Sequence, residues 1–155
     1  MNNIKNIHDH GQSIWLDFFD RELMNSGKLQ KLIDEDGLCG ITSNPSIFEK
    51  AVLGNSDYDE DIKKLSGEDK SNEDIFFGFA TKDIRRATDI LKPIFDEAKG
   101  TDGFVSLEVS PHLAHDTEGT IKQARELWKT VDRKNVMIKI PGTKEGLPAI
   151  RKCIS

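Results

Sequence analysis

No run in this 155-residue sequence approaches the roughly 20 consecutive apolar residues of a membrane-spanning helix, so no membrane association is expected. The amino end, Met1-Asn2-Asn3-Ile4-Lys5, lacks the apolar stretch and small-residue cleavage site of a signal peptide. A cytoplasmic protein whose mature chain starts near Met1 is the expectation. Cysteine is scarce: Cys39 and Cys153 are too few for a disulfide scaffold and too far apart for a CxxC motif. Cys39, in Gly37-Leu38-Cys39-Gly40, reads as a small buried apolar residue. Positive charge is not in surplus. The formal net charge of −5 offers nucleic acid no basic face, so no nucleic-acid partner is expected, and any bound phosphate must be met by a few placed groups. Low-complexity segments and internal repeats are lacking too. What is present, 36% hydrophobic and 32% charged residues, is the balance of a folded globular chain of single-domain length.

Four short apolar segments run into turn chemistry and are predicted strands. They are Ser13 to Asp17, Leu38 to Thr42 before Ser43-Asn44-Pro45, Phe104 to Val109 before Ser110-Pro111, and Asn135 to Ile140 before Pro141-Gly142. Helical spacing lies between them. Glu22 to Asp34 carries Leu23, Leu29, Leu32 and Ile33, interrupted at Ser26-Gly27 and stopped at Gly37. Ser46 is the expected N-cap of a helix over Ile47 to Val52, and a second helix is expected over Asp59 to Leu65. The polar stretch Asn55 to Ser71 otherwise reads as a solvated connection. Asn72 to Ala98 is the longest pattern, with Pro93 expected to kink its last turns. Asp116 or Thr117 opens another helix that presents Ile121, Ala124, Leu127, Trp128 and Val131 on one face.

Strands alternating with helices call for a parallel sheet with helical crossovers. Two-residue periodicity sets Val105, Leu107 and Val109 on one face of the third strand and Ser106, Glu108 and Ser110 on the other. In the fourth, Val136, Ile138 and Ile140 oppose Met137 and Lys139; in the first, Ile14 and Leu16 oppose Trp15 and Asp17. Each of these strands has one apolar face for helices and a second that ends in an ionisable residue. A sheet closed around a polar mouth accounts for that better than an open sheet with two helix-covered faces. The ionisable residues fall near the carboxyl ends of their strands, where barrel active sites are built.

Lys139 lies in Val136-Met137-Ile138-Lys139-Ile140-Pro141-Gly142-Thr143, inside an otherwise apolar strand and just before a turn. An amine among apolar neighbours has its charged form disfavoured, which frees a nucleophile for carbonyl chemistry. The plain alternative is an edge strand whose lysine reaches solvent. Asp17 could equally cap the next helix, Asn44 could form the turn before Pro45, and Glu108 could be only the ion-pair partner of Lys139. Together the four residues supply an amine, two carboxylates for proton transfer and an amide to fix hydroxyls. His112 and His115, three apart beside Asp116, have metal-ligand spacing. Their loop position and the use of Asp116 as a helix cap argue for no metal; His8 and His10 read as solvated.

The segments Gly11 to Asp17, Gly40 to Ala51, Val105 to Pro111 and Val136 to Thr143 resemble the successive strand motifs of transaldolase, in its longer bacterial type, as does Leu113 to Thr120. The resemblance implies a TIM-type (β/α)8 barrel and a cofactor-free, metal-free enzyme of the pentose phosphate pathway. Such an enzyme moves a dihydroxyacetone unit from a ketose phosphate, sedoheptulose 7-phosphate or fructose 6-phosphate, to an aldose phosphate. Matched position by position, Lys139 is the Schiff-base lysine, Glu108 relays protons through a water, Asp17 is the acid/base at the C4 hydroxyl, and Asn44 orients the substrate.

A barrel of that kind needs roughly 250 residues, and residues 1–155 supply only the first four strand–helix units, a half barrel cut within the fourth crossover helix. The threonine, serine and arginine with which the family holds its water and substrate phosphate lie outside them. The first and fourth strands are then unpaired edges, with Trp15 and Met137 wet, and pairing with a second copy or with a complementing C-terminal half is expected. Two further readings stand beside transfer: a simple aldolase, and a catalytically inactive half barrel that serves as a structural or assembly piece.

Overall fold

The computed structural model describes residues 3–67 and 70–155. A 3-10 turn at Lys5–His10 precedes β1 (Ile14–Leu16), α1 (Arg21–Asn25), α2 (Lys28–Asp36), β2 (Leu38–Ile41) and α3 (Pro45–Gly54). A second 3-10 turn, Ser56–Tyr58, leads to α4 (Asp59–Ser66) and the long α5 (Asn72–Glu97). Then come β3 (Phe104–Glu108), α6 (Thr117–Val131), β4 (Val136–Lys139) and α7 (Gly146–Ile154). The four strands are all parallel and lie in the order β1-β2-β3-β4. Each crossover therefore steps to the next position and the order never reverses, which is the progression of a barrel and not of a doubly wound sheet. This is the first-half topology of a TIM-type barrel.

Local chemistry explains the boundaries. Gly27, at φ 75°, separates α1 from α2, and Gly37, at φ 71°, ends α2. Ser71 and Asp74 form a reciprocal capping box at the start of α5, which passes through Pro93 without ending. Asp116 caps α6 by accepting from the Gly119 N–H at 3.0 Å. The expected cap at Ser46 is corrected: Asn44 holds that position, its Oδ1 accepting from the Ile47 N–H at 2.9 Å, because Pro45 has no N–H to bond and suits the first helical turn.

Val105, Leu107 and Val109 of the third strand segment are buried together with Ile41 and Val136, and Ile84, Ala87 and Leu91 of α5 join the same core with Ala124, Leu127 and Val131 of α6. The alternation in sequence thus becomes a helix-facing sheet surface. On the other face Trp15 lies over Gly40, where an added Cβ would sit 2.4 Å from the indole ring, so β1 and β2 approach only because residue 40 has no side chain. Trp15 is accordingly half-buried, whereas Met137 is exposed.

The outer helices are tied together by a largely covered cation, Arg21, whose side chain is 14% exposed. Arg21 donates through Nε to both carboxylate oxygens of Asp83 at 2.9 Å, through Nη2 to Asp61 at 2.5 Å and through Nη1 to the Asp57 carbonyl at 2.7 Å, and its guanidinium lies 4.5 Å from the centroid of the Tyr58 ring. The network clamps α1, the 3-10 turn before α4, α4 and α5. Tyr58, inside the stretch read as a solvated connection, is fully buried, a correction that follows from its stacking against Arg21 and Phe79. His8 is likewise not simply solvated, since its Nε2 meets the Gly37 carbonyl at 2.7 Å.

Candidate active site

The parallel register of β3 and β4 pairs Ser106 with Met137 and Glu108 with Lys139, so these four residues share the face turned away from the helices. Lys139 Nζ forms an ion pair with Glu108 Oε1. It also reaches across β3 to the end of β2, donating to the Ser43 carbonyl at 3.1 Å and to Thr42 Oγ1 at 3.4 Å. The lysine and glutamate side chains are 40% and 28% exposed. An open cleft of about 260 Å³ lies beside them, lined by Glu108, Val109, Pro111, Lys139, Ile140 and Pro141. The amine therefore sits among a carboxylate, a hydroxyl and a carbonyl, not in the wholly apolar setting that its neighbours in sequence suggest. Ile138 and Ile140 flank Lys139 along the chain; its side chain leaves them behind.

The end of β2 is held by hydrogen bonds that the sequence reading missed. After Ile41 the backbone leaves its ladder with β3, keeping the Thr42 N–H bonded to the Leu16 carbonyl of β1, and there Ser43 Oγ donates to the Ser106 carbonyl at 2.7 Å while the Ser43 N–H donates to Ser106 Oγ at 3.3 Å. Ser106 Oγ in turn donates to Thr42 Oγ1 at 3.2 Å. Ser43 and Ser106 are buried, at 0% and 3% exposure, so the two bonds between them form away from water, while the one to Thr42 is half-buried. Ser106 was legible as sharing the Glu108 face, but Thr42 read only as the end of a strand and Ser43 only as part of the turn after it.

Asn44 follows directly, and its side-chain oxygen is committed to capping α3. Asp17 occupies the bend after β1, exposed, one residue beyond the Leu16–Ile41 pairing. No hydrogen bond or ion pair joins Asp17 to Lys139 or Glu108 among the described residues. Nor does Asp17 cap α1: Asp20 does, accepting from the Leu23 N–H at 2.6 Å. The structure thus brings Glu108 and Lys139 together, sets Asn44 next to their β2 contacts, and leaves Asp17 at the neighbouring strand end.

His115 pairs with Glu145 at 3.2 Å on the surface, and among the described residues no three His, Cys, Asp or Glu side chains cluster as a metal-binding group. No helix among those residues is long and apolar enough to cross a membrane.

A one-directional parallel sheet with an amine and a carboxylate paired at its carboxyl ends is the architecture of a barrel-type α/β protein, whose sites form at that end of the strands. The family model for transaldolase/fructose-6-phosphate aldolase matches residues 14–155. The chain belongs to that family. It is 48% identical to a transaldolase of Trichodesmium erythraeum over 154 residues, which are 99% of this chain and 40% of the relative. It is 48% identical over 153 residues to one of Saccharopolyspora erythraea, covering 99% and 41%, and 47% identical over 149 residues to one of Thiobacillus denitrificans, covering 96% and 42%. The chain thus spans about 40% of the length of these curated relatives.

Proposed function

We propose that residues 1–155 form one unit, the Schiff-base half of a transaldolase site, and that Lys139 is its nucleophile. The observation that carries this reading is the Lys139–Glu108 pair at the carboxyl ends of β3 and β4, with the end of β2 as its third wall. The amine adds to the ketone carbon of a ketose phosphate such as fructose 6-phosphate or sedoheptulose 7-phosphate, and loss of water leaves an imine. Protonated, that imine draws electrons from the C3–C4 bond. Asp17 takes the C4 hydroxyl proton, the bond breaks to release an aldose phosphate, and its electron pair becomes the enamine of a dihydroxyacetone unit on Lys139. An acceptor aldose phosphate then adds to the enamine and hydrolysis frees the product. Glu108 moves protons to and from the nitrogen through water. Asn44, whose oxygen caps α3, keeps its NH2 donors for a substrate hydroxyl. The reading takes the reaction to be cofactor-free, metal-free, cytoplasmic and part of the pentose phosphate pathway.

The 40% exposure of Lys139 favours a second reading, an inactive half barrel that only assembles with other chains. Turnover separates the two. Fructose 6-phosphate and erythrose 4-phosphate are supplied to this chain alone and with a polypeptide spanning the remaining length of a relative, and release of glyceraldehyde 3-phosphate is followed. Acceptor-dependent release that is lost in Lys139→Ala supports transfer; acceptor-independent release means a simple aldolase. Association of the two polypeptides without any release supports the structural reading.

A further inference from the structure

β2 and β3 are joined by ladder pairing only at Gly40–Phe104 and Ile41–Val105. Beyond them, among the described residues, the two strand ends are linked by the hydrogen bonds of Ser43 and Ser106, one of them running on to Thr42. Two of the three acceptors around the Lys139 amine, the Ser43 carbonyl and Thr42 Oγ1, sit on the segment that these bonds fix. The third, Glu108, is on β3 two residues from Ser106. Without the serine links, the end of β2 would keep its run into α3 and the bond from the Thr42 N–H to the Leu16 carbonyl of β1 at 2.9 Å, but its tie to β3 would end at Ile41, on the side where the lysine reaches it.

We propose that Ser106, with Ser43, is a positioning residue: it straps the end of β2 to β3 and so fixes the acceptors that hold the Lys139 amine in place for attack. This deepens the Schiff-base reading and rests on it for its catalytic consequence, though not for its geometry. Ser106 Oγ is suited to the task because it bonds in both directions, accepting from the Ser43 N–H and donating to Thr42 Oγ1. Ser106 is only 3% exposed, and its bond to the Ser43 N–H lies away from water, so removal of the hydroxyl leaves that N–H without its partner. Neither serine touches the reacting atoms. Their effect passes through Thr42 and the Ser43 backbone.

The test compares Ser106→Ala, Ser106→Thr and Ser43→Ala with the parent chain. Two readouts are taken: the borohydride-trapping rate of saturating dihydroxyacetone on Lys139, and acetylation of Lys139 by acetic anhydride relative to the other lysines, both mapped by peptide mass spectrometry. Loss of a buried, doubly used hydroxyl in Ser106→Ala is expected to slow trapping about tenfold. It is also expected to raise the relative acetylation of Lys139 several-fold, as the amine escapes its acceptors. Ser106→Thr, which keeps the hydroxyl, is expected to restore both readouts. Ser43→Ala, which keeps the backbone N–H and carbonyl, is expected to give the same directions with smaller size and serves if Ser106→Ala does not fold. Unchanged trapping and acetylation in Ser106→Ala, or failure of a folded Ser106→Thr to restore them, overturns the proposal. If the parent chain traps nothing, the Schiff-base reading fails while acetylation still decides the strap.

Discussion

Lys139 owes its surroundings to residues far from it in sequence. Its neighbours Ile138 and Ile140 pack at the core, while its amine meets Glu108 from the adjacent strand and Thr42 and Ser43 from the strand beyond. Asn44 divides its side chain between two tasks, and substitution should separate them. Asn44→Asp keeps a capping oxygen and is expected to leave stability nearly unchanged while slowing imine trapping; Asn44→Ala is expected to lose about 1 kcal/mol as well, read by urea unfolding. The two cysteines should differ in the same way that their settings do. Burial, reinforced by the Asp102 carboxylate, pushes the Cys39 thiol up to about 11, whereas Cys153 is exposed. Only a thiolate alkylates, so iodoacetamide at mildly alkaline pH is expected to label Cys153 well before Cys39; equal rates would contradict this. The sign of the stability linkage follows: the raised value favours the folded state below the ordinary thiol range, and that contribution is lost as pH rises toward about 11.

Most elements were legible because their signals are local. All four strands, the break at Ser26-Gly27, the long α5 and the Asp116 cap follow from periodicity and turn chemistry, and the paired faces of β3 and β4 follow from alternation alone. The family motifs pointed to Lys139, Glu108, Asp17 and Asn44, of which the sheet brings the first two into contact. What was not legible depends on contacts distant in sequence. The Ser43–Ser106 link joins residues 63 apart, and the Arg21–Asp83 pair joins residues 62 apart, so neither leaves a periodic trace. The helix clamp carries its own expectation. Asp83 is buried, with 7% of its side chain exposed, and Arg21 is its main partner. Arg21→Met strands that carboxylate and is expected to destabilise the chain by about 3 kcal/mol, measured as a lowered urea midpoint. Asp83→Asn in the same background should recover part of the loss, because the charge left unpaired is removed; a null effect of Arg21→Met would mean the clamp contributes nothing.

At the scale of the whole molecule, β1 and β4 are the outer strands of a four-stranded parallel sheet, an arrangement that parallel sheets normally cover or close. Along β4 a groove of about 640 Å³ opens between α6 and α7, lined by Trp128, Met137, Ile138, Ile150 and Ile154 among others. Met137, Trp128 and Ile154 are exposed there. Apolar edge and groove together favour association, so sedimentation velocity at micromolar concentration is expected to show at least a dimer; a single sharp monomer boundary would contradict that. Imine formation on Lys139 draws on the ends of β2, β3 and β4, which the chain already assembles around the amine, whereas carbon–carbon cleavage also calls on Asp17 after β1. The central claim of the catalytic reading is tested most directly by incubating the chain with dihydroxyacetone and borohydride and mapping the product by peptide mass. The account predicts one reduced three-carbon adduct, concentrated on the peptide that contains Lys139. Adducts spread over the lysines in proportion to their exposure, or none at Lys139, would contradict it.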